Sequence, residues 1–110
     1  MGLIDMESVL VNSLSVSPTR LWGDVPLFGV SDSLELIGYC EKNDIAVLGI
    51  EGFRVNNDKR VPDMDYIVDF SELFRVSGKD FTEKSLQISK SFVQSVEVLD
   101  IYFEFLLVKC

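Results

Sequence analysis

The sequence contains no histidine among its 110 residues, and this absence removes several kinds of chemistry. Histidine is the commonest general base, the usual zinc ligand and the partner of serine or cysteine in nucleophilic catalysis. The glycines match neither the Gly-Lys-Ser/Thr pattern of a phosphate-binding loop nor the spacing of a dinucleotide-binding turn. The sequence therefore predicts a protein that is not an enzyme and holds no cofactor or metal.

Cysteine is also scarce, since only Cys40 and Cys110 are present and they lie far apart in the chain. We expect both to be free thiols. The apolar run from Ile101 to Val108 is too short to span a membrane, and the first residues lack the basic segment of a secretory signal. These features predict a cytoplasmic protein that makes no membrane contact.

Basic residues are few, because 10 Lys and Arg stand against 18 Asp and Glu, which gives a formal net charge of -8. The 47% hydrophobic content favours a packed globule over an acidic disordered chain. A negative field repels nucleic acid and anionic lipid, and it speeds encounter with basic proteins. We therefore predict a single domain over residues 1–110 that binds a basic protein and does not bind nucleic acid directly.

Periodicity at the start of the chain predicts a helix from about residue 3 to 14, with a capping arm as the alternative. Residues 17–31 mix prolines and glycines with Trp22, which is typical of an ordered loop whose aromatic side chains face the core. A capping box that begins at Asp32 predicts a second helix over residues 32–42.

The segment 45–50 is short and apolar on both faces, which predicts a central strand with cover above and below. Gly49 and Gly52 indicate a bulge or a close backbone approach in this strand. A turn cluster at 56–58 then predicts a hairpin into a strand at 63–70.

A second capping box and four-residue spacing predict a helix over about 81–98, although an alternating pattern also runs through this stretch. Residues 101–108 read as a second buried strand, which we expect to pair near 45–50. Together the segments predict an α+β fold, in which a small mixed sheet of about three to five strands packs against two or three helices.

The strand predicted at 63–70 alternates acidic and apolar residues. Its acidic face would carry Asp63, Asp65 and Asp69. Its apolar face would carry Met64, Tyr66, Val68 and Phe70. Three like charges repel each other and add nothing to folding, so one use is the capture of a basic partner, and a plain solvated face is the alternative. We also expect Asp63→Lys and Asp65→Lys together to leave the fold intact.

The run from Asp32 to Gly49 resembles a family of immunity proteins from bacterial polymorphic-toxin and contact-dependent growth inhibition systems, in which a helix leads into a strand that ends near glycine. The resemblance extends upstream to the loop around Trp22. Downstream it includes the acidic strand at 63–70 and the last helix and strand, so that it covers roughly residues 15–108.

This resemblance implies a small protein that binds the catalytic C-terminal domain of a cognate toxin and blocks it. Many such toxin domains are nucleases with basic clefts, which an acidic inhibitor would complement. We expect three charged contacts, two rim charges and two aromatic anchors. They are Asp63, Asp65 and Asp69, then Glu51 and Glu72, and finally Phe53 and Tyr66.

Two other functions remain open from the sequence. One is an adaptor or regulatory module that binds a basic host protein, for example by pairing at an exposed sheet edge. The other is a carboxylate enzyme, in which a divalent cation such as Mg²⁺ is held by acidic residues of the strand and the segment after it. Its ligands would be Asp63, Asp65, Asp69 and Glu72.

Overall fold

The computed structural model describes residues 7–56, 59–77, 80–97 and 100–109. Within these ranges the chain forms six strands and three α-helices. The strands are β1 (Glu7–Val9), β2 (Arg20–Trp22), β3 (Val25–Leu27), β4 (Ala46–Asn56), β5 (Lys59–Asp69) and β6 (Ile101–Lys109). The helices are α1 (Val30–Lys42), α2 (Ser71–Ser77) and α3 (Phe81–Gln94), and a 3-10 turn covers Val11–Ser13.

Four strands form the main sheet in the order β1-β6-β4-β5, and β2 and β3 form a separate hairpin. The predicted α+β class, with a small sheet packed against helices, is confirmed. Every strand pair in the described residues is antiparallel rather than mixed. The central position of β4 and its pairing with β6 are also as predicted.

The helices cover one face of the sheet. Side chains of α1 and α3 form one core with inward side chains of β4 and β6, and these are apolar and almost fully buried. The core includes Leu36, Ile37, Phe81, Leu86, Val93, Ile50, Phe103 and Phe105. No helix in the described residues is long and apolar enough to cross a membrane.

The β2–β3 hairpin covers part of the opposite face. Leu27 packs there with Phe53 and Val55 of β4, and Trp22 and Tyr102 lie partly buried against them. The interpretation of Trp22 as core-facing is therefore correct, although the segment around it forms a hairpin and not only a loop.

The predicted helix at 3–14 is wrong from residue 7 onward, and residues 3–6 lie outside the described residues. Glu7–Val9 pairs with the end of β6, so that tertiary strand pairing overrides the helical spacing of the apolar side chains. The alternative of a capping arm is closer to what the structure shows.

Helix α1 begins two residues before the predicted start, at Val30 with Gly29 as its N-cap. The capping box at Asp32 is therefore wrong, because Asp32 lies in the first turn and accepts a hydrogen bond from the Thr19 hydroxyl. The same hydroxyl accepts from the N–H of Gly29, which ties the helix start to the preceding loop.

Helix α3 is confirmed from residue 81 and ends at Gln94, where the Ser95 hydroxyl donates to the carbonyl of Phe92. The predicted end at residue 98 is too late, because residues 95–97 are not helical, and residue 98 itself lies outside the described residues. The short helix α2 has no counterpart among the predicted elements.

Both glycines of β4 lie at irregularities in the sheet, as predicted. The register shifts next to Gly49 on the β6 side and across Gly52 on the β5 side. Phe53 pairs with Pro62 and Glu51 pairs with Ile67, so residues 63–66 of β5 face Gly52 alone. A Cβ atom at Gly52 would lie 2.7 Å from the Cβ of Tyr66, so only glycine fits this close approach.

We predict that Gly52→Ala destabilises the protein by about 1–3 kcal/mol, because the added methyl group overpacks a site enclosed by Tyr66 and Ile101. The matched control is Gly38→Ala in α1, where an added Cβ meets no atom within 4 Å. That substitution should stabilise by about 0.5–1 kcal/mol through helix propensity. Urea unfolding of both variants measures the two effects, and equal stability of the variants would contradict the close approach.

Candidate protein-binding face

The β2–β3 hairpin leaves part of the sheet uncovered on the face opposite the helices. The strand register places two rows of side chains across β5, β4 and β6 on this surface, since directly opposite residues share a face. The first row is Ile67, Glu51 and Glu104, and the second is Asp69, Gly49 and Leu106. We call these six residues the open face.

The open face lines a shallow hollow of about 490 Å³. Gly49 lies at its centre and contributes no side chain, while Leu106 is 53% and Ile67 is 39% exposed. A second hollow of about 400 Å³ adjoins it across Leu106 and extends toward Leu10 and Pro26. The surface thus combines accessible aliphatic groups with three carboxylates.

Glu51 and Glu104 lie directly opposite each other on β4 and β6. Like charges in this arrangement are destabilising. A neighbouring cation, Arg60, has its Nη1 atom 3.8 Å from Oε1 of Glu104, and its guanidinium carbon lies 4.3 Å from the ring centre of Phe53. One guanidinium at that distance leaves the open face strongly negative.

Asp69 is the third carboxylate, and its position is held by the start of α2. Its Oδ1 atom accepts hydrogen bonds from the hydroxyl of Ser71 at 2.6 Å and from the N–H of Ser71 at 2.9 Å. These two hydrogen bonds lower the pKa of Asp69 below its usual value. The carboxylate is therefore ionised at neutral pH and held against Ser71 at the border of the hollow.

The predicted alternation of residues 63–70 holds from residue 65 onward, where Tyr66, Val68 and Phe70 face the core and Asp69 faces solvent. It is wrong at the start of the bulge. Asp63 is turned inward, with its side chain 16% exposed and 2.9 Å from Nε of Arg54. Met64, predicted to be buried, is 78% exposed. Ile67 shares the open face with Asp69. Of the three predicted strand contacts, only Asp69 belongs to the open face.

Arg54 is the partner that holds Asp63 in place. Its Nη1 atom also lies 2.6 Å from Oδ1 of Asp100, next to β6. The hydrogen bond to Asp63 is the largest cause that raises the pKa of Arg54, and Asp100 adds to it. This cluster links β5, β4 and the start of β6, so Asp63 has a structural partner already.

Asp65 and Glu72 lie outside the open face. Asp65 is exposed in the bulge, where its N–H donates to Oδ1 of Asp63 at 3.1 Å. Glu72 is exposed on α2 and pairs with Arg75 one turn later. Of the two predicted rim charges, Glu51 belongs to the open face and Glu72 does not.

Neither of the two predicted aromatic anchors lies on the open face. Phe53 is 4% exposed beneath Arg60 and the β2–β3 hairpin. Tyr66 points toward the helices and packs edge-on against Phe92, with ring centres 6.2 Å apart. Phe53 follows Gly52 in the alternation of β4, which places it on the hairpin side and explains its burial.

Sequence reasoning missed four residues of the open face, namely Gly49, Ile67, Glu104 and Leu106. Glu104 carried a usable signal, because it is the only charged residue between Ile101 and Val108. A lone carboxylate in a strand that is otherwise apolar indicates a position without cover. Ile67 also carried a signal, because the alternation predicted for residues 63–70 places it on the same side as Asp69. Leu106 carried none, because an exposed aliphatic side chain looks the same as a buried one in the sequence.

Metal binding and thiol chemistry gain no support from the geometry. Within the described part of the chain, no group of three or more acidic, cysteine or histidine residues could hold a metal ion. Two of the four carboxylates considered for Mg²⁺ already have arginine partners, since Asp63 pairs with Arg54 and Glu72 pairs with Arg75. Cys40 is buried in the core, and burial raises the pKa of its thiol to about 12.

In comparisons with known proteins, no family model, curated protein or solved structure matches the chain. The resemblance to immunity proteins therefore stays a prediction. What the geometry offers is a negatively charged, partly apolar sheet face that suits binding of a cationic protein surface.

We predict that Asp63→Lys destabilises the protein, contrary to the expectation from sequence, because it removes the carboxylate that pairs with Arg54 and places a second cation beside that guanidinium group. Asp65→Lys is the matched control, since it makes the same charge change at an exposed position two residues away. It should alter the free energy of unfolding by less than about 0.5 kcal/mol. Chemical unfolding measures both variants, and equal effects would contradict a structural role for the Asp63–Arg54 pair.

Cys40 should be unreactive in the native protein, because the thiolate is the nucleophile and its formation is suppressed. In a Cys110→Ser background we expect iodoacetamide at pH 8 to modify Cys40 at least about a hundredfold more slowly than in urea. Mass spectrometry follows the reaction. Native modification at a rate close to that in urea would show that Cys40 is accessible and ionised.

Proposed function

We propose that this protein is an inhibitor that binds a basic partner protein through the open face. In its specific form the proposal is a cytoplasmic immunity protein that neutralises the catalytic domain of a cognate toxin, a nuclease, without a cofactor. The observation that carries it is a set of three carboxylates around two exposed aliphatic side chains, on the sheet face opposite the helices.

The charge distribution supports a basic partner. The net charge of -8 attracts cationic surfaces over long range, and Glu51, Asp69 and Glu104 concentrate negative charge where apolar groups are also exposed. A protein interface needs both features, since apolar contacts at the centre provide affinity and charges at the rim provide orientation and rate. Nucleases are suitable partners because their clefts are basic in order to hold phosphates.

The free edges of the sheet give less support to the alternative of an adaptor that pairs with an added strand. β5 is an edge strand, but Pro62 and the bulge at 63–66 interrupt it. Proline and bulges are the devices that prevent strand addition. β1, at the other edge of the described sheet, has only three residues. Binding through the face is therefore the better supported mode.

The proposal is tested by capture of the partner from the source cells at low salt, followed by mass spectrometry and measurement of association rates. We expect a basic protein domain that is encoded beside this protein and kills cells lacking it. The test variant neutralises the open face with Glu51→Gln, Asp69→Asn and Glu104→Gln. The control neutralises three exposed carboxylates of the helices with Glu35→Gln, Glu41→Gln and Glu83→Gln.

The open-face variant should associate at least about tenfold more slowly than the control at low salt, and the difference should shrink as salt screens the charges. Circular dichroism checks that both variants are folded. Equal rates for the two variants would reject the open face as the binding site. A captured partner that is acidic, or that is harmless without this protein, would reject the immunity function.

A further inference from the structure

The pair formed by Glu51 and Glu104 places two like charges directly opposite each other on neighbouring antiparallel strands. Opposite side chains on such strands have Cβ atoms about 4.5–5.5 Å apart, so the carboxylates repel at short range. In a complex, a cation between the two carboxylates would remove the repulsion between Glu51 and Glu104.

Space and apolar contact are available at the same place. Ile67 lies beside Glu51 on β5, and Leu106 follows Glu104 on the same face of β6. Gly49 leaves the floor of the hollow open between them. A long side chain with a cationic end could therefore place its methylene groups on the two aliphatic residues and its charge between the two glutamates.

The protein's own arginine does not satisfy this pair. Arg60 is held over the ring of Phe53, and its Nη1 atom, 3.8 Å from Glu104, is buried without a hydrogen-bond partner. A distance of 3.8 Å is too long for a hydrogen bond. Among the described residues, no ion pair reaches Glu51. Glu51 is thus free of an ion pair among the described residues, and Glu104, which has an ion pair but no hydrogen bond with Arg60, can still accept hydrogen bonds from an external donor.

We infer that the partner inserts an arginine side chain into the open face, with its guanidinium group between Glu51 and Glu104. This inference rests on the proposed function and specifies the chemistry of its central contact. A guanidinium group presents several N–H donors in a planar fork, so it can bond two carboxylates on different strands at once. A lysine ammonium is a compact charge and matches this arrangement less well.

The inference is tested with two blocked peptides, tetra-arginine and tetra-lysine, titrated at low salt into isotope-labelled protein and followed by NMR. We expect the arginine peptide to bind about three- to fivefold more tightly, with the largest shift changes at Glu51 and Glu104. Glu51→Gln should weaken the arginine peptide by a similar factor. Glu41→Gln, at an exposed end of α1, is the control with the same charge change.

A second measurement needs no ligand. Glu51→Gln removes the repulsion and leaves the contact between Arg60 and Glu104 intact, so its melting temperature should rise by about 1–4 °C. The control Glu41→Gln should not show this rise. A lower melting temperature for Glu51→Gln would show that the pair supports the fold, and it would overturn the inference.

The outcomes separate this inference from the proposed function. If both peptides bind the open face with equal affinity, the preference for arginine is wrong and a basic partner is still supported. If neither peptide shifts the resonances of the open face, both the inference and the proposed function are contradicted. If Glu41→Gln weakens the arginine peptide as much as Glu51→Gln does, the binding is non-specific and the inference fails.

Discussion

The arrangement of the whole sheet depends on the close approach of β5 to β4 at Gly52. Because this position has no side chain, the backbone and Cβ of Tyr66 can lie against β4, and residues 63–66 bulge out of the strand. The bulge turns Tyr66 toward the helices and Asp63 toward Arg54. It also resets the alternation, so that Ile67 and Asp69 reach the open face.

The helices cover one face of the sheet, and the β2–β3 hairpin covers only part of the other face. The part that the hairpin leaves uncovered is the open face. Helices α1 and α3 bury one face in a large apolar core, whereas the β2–β3 hairpin reaches only Phe53, Val55 and Tyr102 on the other. The remaining positions there need not be apolar. Two glutamates in direct opposition occupy them, an arrangement in which like charges repel each other across neighbouring strands.

Some elements could be predicted from short stretches of the sequence alone. Helix α3 and strands β4 and β6 follow from periodicity and apolar content, and the irregularities at Gly49 and Gly52 follow from glycine inside a strand. The strand β1 could not be predicted, because only its pairing with β6 determines its conformation. The start of α1 was misplaced because Thr19, from a distant loop, bonds both Gly29 and Asp32.

The candidate site was harder to predict, since its composition depends on strand phase and register. A bulge at 63–66 changes which side chains of β5 share a face, and periodicity alone assumes that no bulge exists. Glu51 and Asp69 were identified from charge, but their neighbours Glu104 and Leu106 come from a strand more than thirty residues later in the chain. Only the register of β4 with β6 brings them together.

The central claim is that the open face contacts a basic protein, and carboxyl footprinting tests it most directly. Carbodiimide labelling of the free protein and of the purified complex, read by mass spectrometry, compares the solvent access of individual carboxylates. We expect Glu51, Asp69 and Glu104 to lose their labelling in the complex while the helix residues Glu35, Glu41 and Glu83 keep it. Protection of the helix carboxylates, with the open face still labelled, would show that the partner binds elsewhere.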